Sequence, residues 1–390
     1  MNVRQICRVL GASGYAVDLA CYPLGEDLDL PGVRIRRALS VPGIRSVPIG
    51  FSLRKLALDA SLALLVAWLL LRRRYAAVHA VEEAIFLALP AAWCGVPVIY
   101  DLDSLLSDQL RYSGKLKSPR AIELARQLER MALAHSRAAI TVCASLTDAA
   151  RRLCPRATVF QIEDTPLEEA LGVADPARVA RLREQCGLGE RPLVVYTGNL
   201  EAYQGIDLLL DAAVVLARRL PRAGVVLVGG EPEQVEALRA DLPARGLEGR
   251  VVAVGKRPPA EMAEWMALAS VLISPRCEGE NTPLKIYTYM RSGVPIVATA
   301  LATHTQVLDD ATAVLCEPSA DALAEAIARL IVEPERAAAL AARARAVAER
   351  EYSADAFRRK LLAAYDWVLD PAQSAAGRGR ATVSEVGPHP

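Results

Sequence analysis

Short runs of β-branched residues alternate with stretches of helical period along almost the whole chain, and this alternation leaves few folds open. Strands that follow one another through helices pair in parallel, and a parallel sheet needs helices on both of its faces. The spacing predicts strands near 15–21, 33–38, 76–80, 96–101, 138–143 and 157–162, then near 193–198, 224–229, 250–255, 270–274, 294–299 and 312–316. The expected fold class is therefore α/β, with two doubly wound, Rossmann-like domains. The halves also echo one another, because a helix runs into Gly95-Val96-Pro97-Val98 in the first and into Gly293-Val294-Pro295-Ile296 in the second.

A length of 390 residues suits two such domains. The first is expected over 1–168 and the second over 193–352, with a linker at 169–192 and a closing amphipathic helix at 353–369. The Gly/Ala/Ser/Pro-rich tail, 370–390, has little to bury and is expected to be disordered. The start departs from the pattern. Arg4 to Gly11 reads as a helix that ends at Gly14, and Tyr15 to Cys21 as the strand after it, so no apolar strand precedes the first helix. A doubly wound domain usually opens on a strand. Either this one lacks it, or the natural chain begins further upstream.

The 46 Lys and Arg residues are balanced by 45 Asp and Glu, a net charge of +1. No overall basic field is available for nucleic acid, and any polyanion site must be local. The eight cysteines are scattered without a C-x-x-C pair, which argues against a zinc or redox motif and suits a reducing compartment. The polar opening Met1-Asn2-Val3-Arg4-Gln5 does not read as a secretory leader, so a cytoplasmic location is expected. The longest apolar run, Ala60 to Leu71, is twelve residues, well short of the ~20 that a membrane-spanning helix requires. Arg54 and Lys55 precede it and Arg72, Arg73 and Arg74 follow it. Two readings stand: a helix buried in its domain, or a peripheral helix at an anionic inner-membrane surface, helped by the basic loop of Arg111, Lys115, Lys117 and Arg120.

Chemistry is most legible from Ser274 to Gly293, where a strand passes through a loop into a helix. Thr282 reads as the N-cap and Pro283 as the first helical residue, which leaves open N–H groups beside Asn281. Lys285 then falls in the first turn, where a cation opposes the helix dipole by roughly 0.3–1 kcal/mol unless an anion offsets it. Arg276 comes from the same loop, and the pair suits a diphosphate. The alternative is an ordinary capped helix with a solvated lysine. A second strand, loop and helix, Tyr196-Thr197-Gly198-Asn199-Leu200-Glu201-Ala202-Tyr203-Gln204-Gly205, places two glycines where open α/β sheets bind ligands. No dinucleotide fingerprint, P-loop or G-x-S-x-G elbow accompanies these strands.

Together these stretches resemble the donor domain of the retaining family 4 glycosyltransferases, glycosyl transferases group 1, of GT-B fold. The resemblance extends over nearly the whole chain. It is carried by the Gly198-to-Gly205 loop with Leu208-Leu209-Leu210 after it, the Val225-to-Gly230 strand and turn, and Ser274-Pro275-Arg276. It is carried further by Thr282-Pro283-Leu284-Lys285, by Gly293-Val294-Pro295-Ile296-Val297-Ala298-Thr299, and by the helix after Tyr352-Ser353. The resemblance implies two Rossmann-like domains facing a cleft, the second binding a UDP- or GDP-sugar and the first a glycan, lipid-linked or small-molecule acceptor. A hexose-type sugar would move with retention by front-face displacement, in which the leaving diphosphate helps deprotonate the acceptor. No cofactor and no metal are expected.

The family's mark is a glutamate, seven residues and a second glutamate, taken to bind the donor sugar and the ribose. Here Glu280 fills the first place and Thr288 the second, which keeps a hydroxyl and loses a charge. Asn199 and Gln204 stand where the family commonly has a phosphate-binding Arg and Lys, leaving neutralisation to Arg276 and Lys285. The implied donor contacts are Gly198, Asn199, Gln204, Arg276, Glu280, Asn281, Thr282, Pro283, Leu284, Lys285 and Thr288. The catalytic candidates are Glu280 and Asp103, which stands where related enzymes often have a histidine and reads equally as an N-cap for a helix over 104–111. Acceptor-side candidates are Glu82 and Glu83, otherwise first-turn acids, and His304, which follows the strand at 294–299 where it could approach the donor phosphate and is otherwise a polar loop residue. The replaced charges and the absent strand keep two alternatives open: a non-catalytic homologue that binds a partner or glycan, and a nucleotide-sugar epimerase of the same fold.

Overall fold

The structure, a computed structural model, describes residues 2–25, 27, 29–44, 53–112, 118–166, 172–279, 281–370 and 372. Glu280, Lys115, Lys117 and the tail from 373 onward lie outside the described residues. The chain forms two compact units, Met1–Glu163 with Arg358–Pro390, and Asp164–Phe357.

The first unit runs α1 (Asn2–Ala12), β1 (Val17–Cys21), β2 (Val33–Arg37), α2 (Leu53–Arg72), β3 (Val78–Val81), α3 (Ile85–Trp93), β4 (Val98–Leu102), α4 (Leu106–Tyr112), α5 (Pro119–His135), β5 (Ala138–Thr141), α6 (Ala144–Leu153) and β6 (Val159–Gln161). The second contains α7 (Pro176–Cys186), β7 (Leu193–Thr197), α8 (Ile206–Arg219), β8 (Gly224–Val228), α9 (Pro232–Asp241), β9 (Val251–Gly255), α10 (Met262–Ala267), β10 (Val271–Ser274), α11 (Leu284–Ser292), β11 (Ile296–Thr299), α12 (Ala302–Thr305), β12 (Val314–Cys316), α13 (Ala320–Val332) and α14 (Pro334–Glu351). The last helix, α15 (Ala354–Leu369), returns the chain to the first unit from Arg358 onward.

In the second unit one parallel sheet has the order β12-β11-β10-β7-β8-β9. Winding therefore reverses between β7 and β10, and open sheets take ligands at the carboxyl ends of the strands beside such a reversal. The strands there are buried on both faces, which is why they read as unbroken apolar runs. On β7, Val194 and Tyr196 join the core that α8 and α13 build with Leu209, Leu210, Leu323 and Ile327. Leu193 and Val195 join the opposite core, with Ile286 and Met290 of α11 and Ala344 and Ala348 of α14. Each such aliphatic side chain contributes about 1.5–3 kcal/mol when fully buried, so β7 is pinned from both sides.

The first unit has a four-stranded parallel sheet, β3-β4-β5-β6, and a separate parallel pair, β1-β2. All five residues of β4 are buried, whereas all five of β1 are only partly so. Thus β1 has β2 on one side and no described strand on the other.

Helix α2 resolves the two readings of the apolar run into two faces. Leu58, Leu62 and Leu69 are buried, while Leu56, Leu64, Trp68 and Leu71 are 44%, 66%, 49% and 87% exposed. These four, with the exposed Ala60, recur at nearly four-residue intervals and form an apolar ribbon on the outer side. Arg72, Arg73 and Arg74 stand exposed at its end. Among the described residues no helix is long and apolar enough to cross a membrane.

Candidate functional site

The loops that follow β7 and β10 touch at Gly205. Its φ is +73°, and a Cβ there would lie 2.0 Å from the carbonyl oxygen of Pro275, so only glycine admits the approach. The Cys277 N–H donates to the Tyr203 carbonyl at 3.1 Å and ties the loops together. Gly198 has φ +141°, and a Cβ there would stand 2.9 Å from Lys285 Nζ and 3.0 Å from the Tyr196 hydroxyl. Glycine thus brings bare backbone against an ammonium group.

Lys285, in the first turn of α11, is partly buried. Its Nζ donates to Gln204 Oε1 at 2.9 Å and lies 3.9 Å from the centre of the Tyr196 ring, in cation–π range. Burial, reinforced by the positive charge of Arg276, pushes its pKa well below the ordinary lysine range. Arg276 donates from Nε to the Glu278 carbonyl at 2.7 Å and from Nη1 to the Asn281 carbonyl at 3.1 Å, with its guanidinium 5.2 Å from the centre of the Tyr203 ring. Burial lowers its pKa as well. All the described hydrogen-bond partners of the two cations are neutral oxygens.

The start of α11 differs from the sequence expectation. Pro283 takes an extended ψ of +133° and so occupies the N-cap place, and the helix begins one residue later, at Leu284. Thr282 therefore stands too early to cap, and its buried Oγ1 has no hydrogen-bond partner. The Ile286 N–H donates to the Pro283 carbonyl at 2.9 Å, and no side chain caps the helix ahead of it. Two cations with neutral described partners thus stand by a helix start that no side chain caps, an arrangement that can take an anion.

Other groups hold this arrangement. Thr299 Oγ1 donates to the Arg276 carbonyl and Thr303 Oγ1 to the Asn281 carbonyl, both at 2.6 Å, so the loop after β10 is anchored at two points. Asn199 accepts at its carbonyl from the Tyr196 hydroxyl (2.6 Å), and its side chain donates to the Tyr203 hydroxyl (3.2 Å). Gln204, 7% exposed, serves to hold Lys285. Thr288 lies three residues after Lys285 and shares its side of α11, partly buried. Tyr196, Tyr203, Thr299 and Thr303 escaped the sequence reading; a tyrosine closing the aliphatic run of β7 was the visible signal for the first.

His304 does not take the acceptor-side place expected of it. It is 0% exposed, its Nε2 accepts from the Ser274 hydroxyl at 2.8 Å, and its Nδ1 donates to the Thr299 carbonyl at 2.8 Å. Burial first, then the positive charges of Arg276 and Lys285, push its pKa down to about 4, against a favourable hydrogen bond to Thr299. It is a neutral strut under the loop after β10, with both nitrogens engaged.

In the first unit Glu82 has φ +48°, the one non-glycine residue with positive φ among those described. Such a conformation costs of order 1–3 kcal/mol and tends to persist where function keeps it. Glu82 Oε1 accepts from the Ser104 hydroxyl at 2.8 Å, which links the ends of β3 and β4 and puts Glu82 beside the stretch that carries Asp103. Because α4 starts at Leu106, Asp103 is three residues ahead of it and is not the cap of a helix over 104–111. Glu83 turns to Lys55 of α2 at 3.3 Å. The sequence reading missed His79, whose Nε2 lies 3.1 Å from Asp101 Oδ2 and whose Nδ1 lies 2.8 Å from the Tyr365 hydroxyl. Polar residues inside two apolar strands, Val-His-Ala-Val and Val-Ile-Tyr-Asp-Leu, were the signal. Among the described residues no group of three or more His, Cys, Asp or Glu side chains is placed to hold a metal ion.

Comparison with known proteins places both units. Residues 2–163 match the glycosyl transferase 4-like domain, and residues 191–333 match the glycosyl transferases group 1. The chain is 34% identical over 178 residues to a GDP-mannose-dependent alpha-(1-6)-phosphatidylinositol monomannoside mannosyltransferase of Mycolicibacterium smegmatis, covering 43% of this chain and 45% of that one. It is 26% identical over 246 residues to an alpha-D-kanosaminyltransferase of Streptomyces kanamyceticus, covering 62% and 63%. The chain thus spans 45% and 63% of these relatives' own lengths. Sucrose-phosphate synthase of Thermosynechococcus elongatus superposes with a TM-score of 0.72 at 21% identity, over 94% of this chain and 92% of that one. HepE of Anabaena, in complex with UDP and glucose, superposes with 0.66 at 20% identity, over 93% and 95%. The matched domains stand in order on the two units, and the chain has the fold of the GT-B glycosyltransferases.

Proposed function

We propose that the chain is a retaining glycosyltransferase that moves a hexose-type sugar from a nucleotide sugar to a glycan, lipid or small-molecule acceptor. The observation that carries this is the seating of Lys285 and Arg276, two partly buried cations with neutral described partners at the uncapped start of α11. A diphosphate is the ligand that would satisfy them. Its charge grows as the sugar leaves, so cations and helix amides fixed in advance stabilise the transition state more than the ground state. In a front-face displacement the departing phosphate oxygen takes the acceptor proton, and the protein's main work is to hold that charge. Glu280 would bind the donor sugar and Thr288 the ribose, with Glu82 and Asp103 on the acceptor side.

Names of relatives support a nucleotide-sugar donor: one depends on GDP-mannose, and HepE holds UDP and glucose. The first of these also acts on a phosphatidylinositol mannoside, which supports a lipid acceptor. A peripheral membrane position fits the outer face of α2, where an apolar ribbon ends in exposed arginines. Arg73 is partly committed to Asp18 at 3.1 Å, which leaves Arg72 and Arg74 for lipid phosphates.

The test is a donor panel of UDP-glucose, GDP-mannose and ADP-glucose, read by thermal shift and by release of the nucleoside diphosphate. One donor should raise the unfolding midpoint and yield slow diphosphate release even without acceptor, because binding to the native state stabilises it. A panel in which nothing shifts and nothing is released would refute the transferase reading.

A further inference from the structure

The two cations beside the start of α11 lie against tyrosine rings from one short stretch of chain. Lys285 Nζ stands 3.9 Å from the centre of the Tyr196 ring, near the end of β7, and the Arg276 guanidinium 5.2 Å from the centre of the Tyr203 ring, in the loop that follows. The rings are themselves joined through Asn199. Its carbonyl accepts from the Tyr196 hydroxyl at 2.6 Å, and its side-chain amide donates to the Tyr203 hydroxyl at 3.2 Å. Tyr196 is fully buried in the core that α8 and α13 build, whereas Tyr203 is 36% exposed. One ring is therefore anchored in the core, and the other is tied to it by two hydrogen bonds.

A ring and a carboxylate do different things to a cation. Both attract it, but a carboxylate also cancels its charge and repels an incoming phosphate. The face of a tyrosine carries no net charge, so it holds an ammonium or a guanidinium and leaves the attraction for an anion intact. At Lys285 the seat is closed on three sides. Gln204 Oε1 accepts one N–H at 2.9 Å, the Tyr196 face takes up a second direction, and the bare backbone of Gly198 fills a third, where a Cβ would stand 2.9 Å from Nζ. An ammonium has three N–H donors, so this seat sets the direction of those not given to Gln204.

We propose that Tyr196 and Tyr203 are positioning residues of the anion site, aromatic seats that fix Lys285 and Arg276 without neutralising them. The proposal rests on the reading of this place as the diphosphate site of a nucleotide sugar. Its consequence is preorganisation, because a long side chain that is ordered beforehand loses no further freedom when the ligand arrives. The ring faces act on the cations, and the hydroxyls, through Asn199, act on the rings.

The test pairs each ring with its cation. Tyr196→Leu and Tyr203→Leu remove the rings, Tyr196→Phe and Tyr203→Phe keep them, and Lys285→Met and Arg276→Met complete two double-mutant cycles. Calorimetric titration with UDP, GDP and ADP reads the affinity. Each leucine variant should bind its diphosphate about three- to tenfold more weakly, the effect of ordering one long side chain on binding, and each phenylalanine variant less than about twofold. Where the cation is already gone, the leucine change should have no further effect. Equal losses with and without the cation would overturn the proposal, since a merely structural role acts in both backgrounds. So would phenylalanine variants as weak as the leucine ones. Tyr203→Glu should bind more weakly than Tyr203→Leu, because it holds the guanidinium and cancels its charge; a Tyr203→Glu protein that binds as the parent does would also overturn it. Carbon-13 labelling at lysine Cε gives a reading without nucleotide. The protons on Lys285 Cε should resonate upfield of the other lysines in the parent and in Tyr196→Phe, through the ring current, and return in Tyr196→Leu. An unshifted Lys285 signal in the parent would overturn the proposal even if Tyr196→Leu does not fold. A shifted signal in a parent that binds none of the three diphosphates would support the seat and count against the glycosyl-transfer reading alone.

Discussion

Replacing Lys285 by methionine removes one charge from the proposed diphosphate site and keeps most of the apolar stem. An ammonium gives a phosphate oxygen a charge-assisted hydrogen bond of about 1.5–3 kcal/mol. Because 1.4 kcal/mol is tenfold in affinity, the variant should bind its nucleoside diphosphate about 10- to 100-fold more weakly. Folding stability should change far less. The variant loses the hydrogen bond to Gln204 and the contact with Tyr196, roughly 1 kcal/mol each, and gains relief from a cation whose burial is costly enough to lower its pKa. Calorimetric titration with UDP, GDP and ADP at two ionic strengths reads the affinity, and a thermal scan reads the fold. The affinity of the variant should also fall less steeply with salt, since one charge contact is gone. A folded Lys285→Met protein that binds the same diphosphate within about twofold of the parent would refute the reasoning, because no charge-assisted bond is that weak.

His304 binds fewer protons folded than unfolded, since its pKa falls from 6.5 to about 4, so stability should drop as pH falls through that window, by up to about 3 kcal/mol. Urea unfolding at pH 7 and pH 4.5 should show a smaller drop in His304→Gln, and an equal drop would remove His304 as the cause. Thr288→Glu should fold normally and tighten binding of the nucleotide sugar more than of free phosphate; an insoluble protein or abolished binding would contradict the ribose assignment. Leu64→Ser, Trp68→Ser and Leu71→Ser change exposed residues and should each cost no more than about 0.5 kcal/mol of stability. Together they should abolish sedimentation with anionic vesicles at low salt, and a parent protein with no preference for anionic over neutral vesicles would end the membrane reading.

The fold was legible because its signal is periodic: aliphatic runs such as Leu193-Val194-Val195 can be buried on both faces only within a parallel sheet. Lys285 stood out because a cation in the first turn of a helix opposes the dipole. What sequence could not supply was contact between distant segments. Nothing in the order of residues says that Gln204 meets Lys285, 81 positions away, or that His304 lies beneath Ser274 and Thr299. The position of Thr282 failed for a smaller reason, the extended ψ of Pro283, which moved the start of α11 by one residue. The apolar run at 60–71 left two readings open, because hydrophobicity alone does not say which side of a helix a sheet will cover.

The central claim is that a nucleoside diphosphate rests on Lys285. The chain has six lysines, so carbon-13 labelling at lysine Cε gives a spectrum in which the Lys285 signal is assigned by its loss in Lys285→Met. In the free protein that signal should titrate well below the ordinary lysine range, because burial and Arg276 disfavour the charge. With UDP or GDP bound, the midpoint should rise by about a unit or more as the diphosphate favours the ammonium form, and affinity should correspondingly fall as pH rises through the free-protein midpoint. A Lys285 signal that keeps its midpoint at saturating nucleotide would contradict the account, for the diphosphate would then be bound elsewhere.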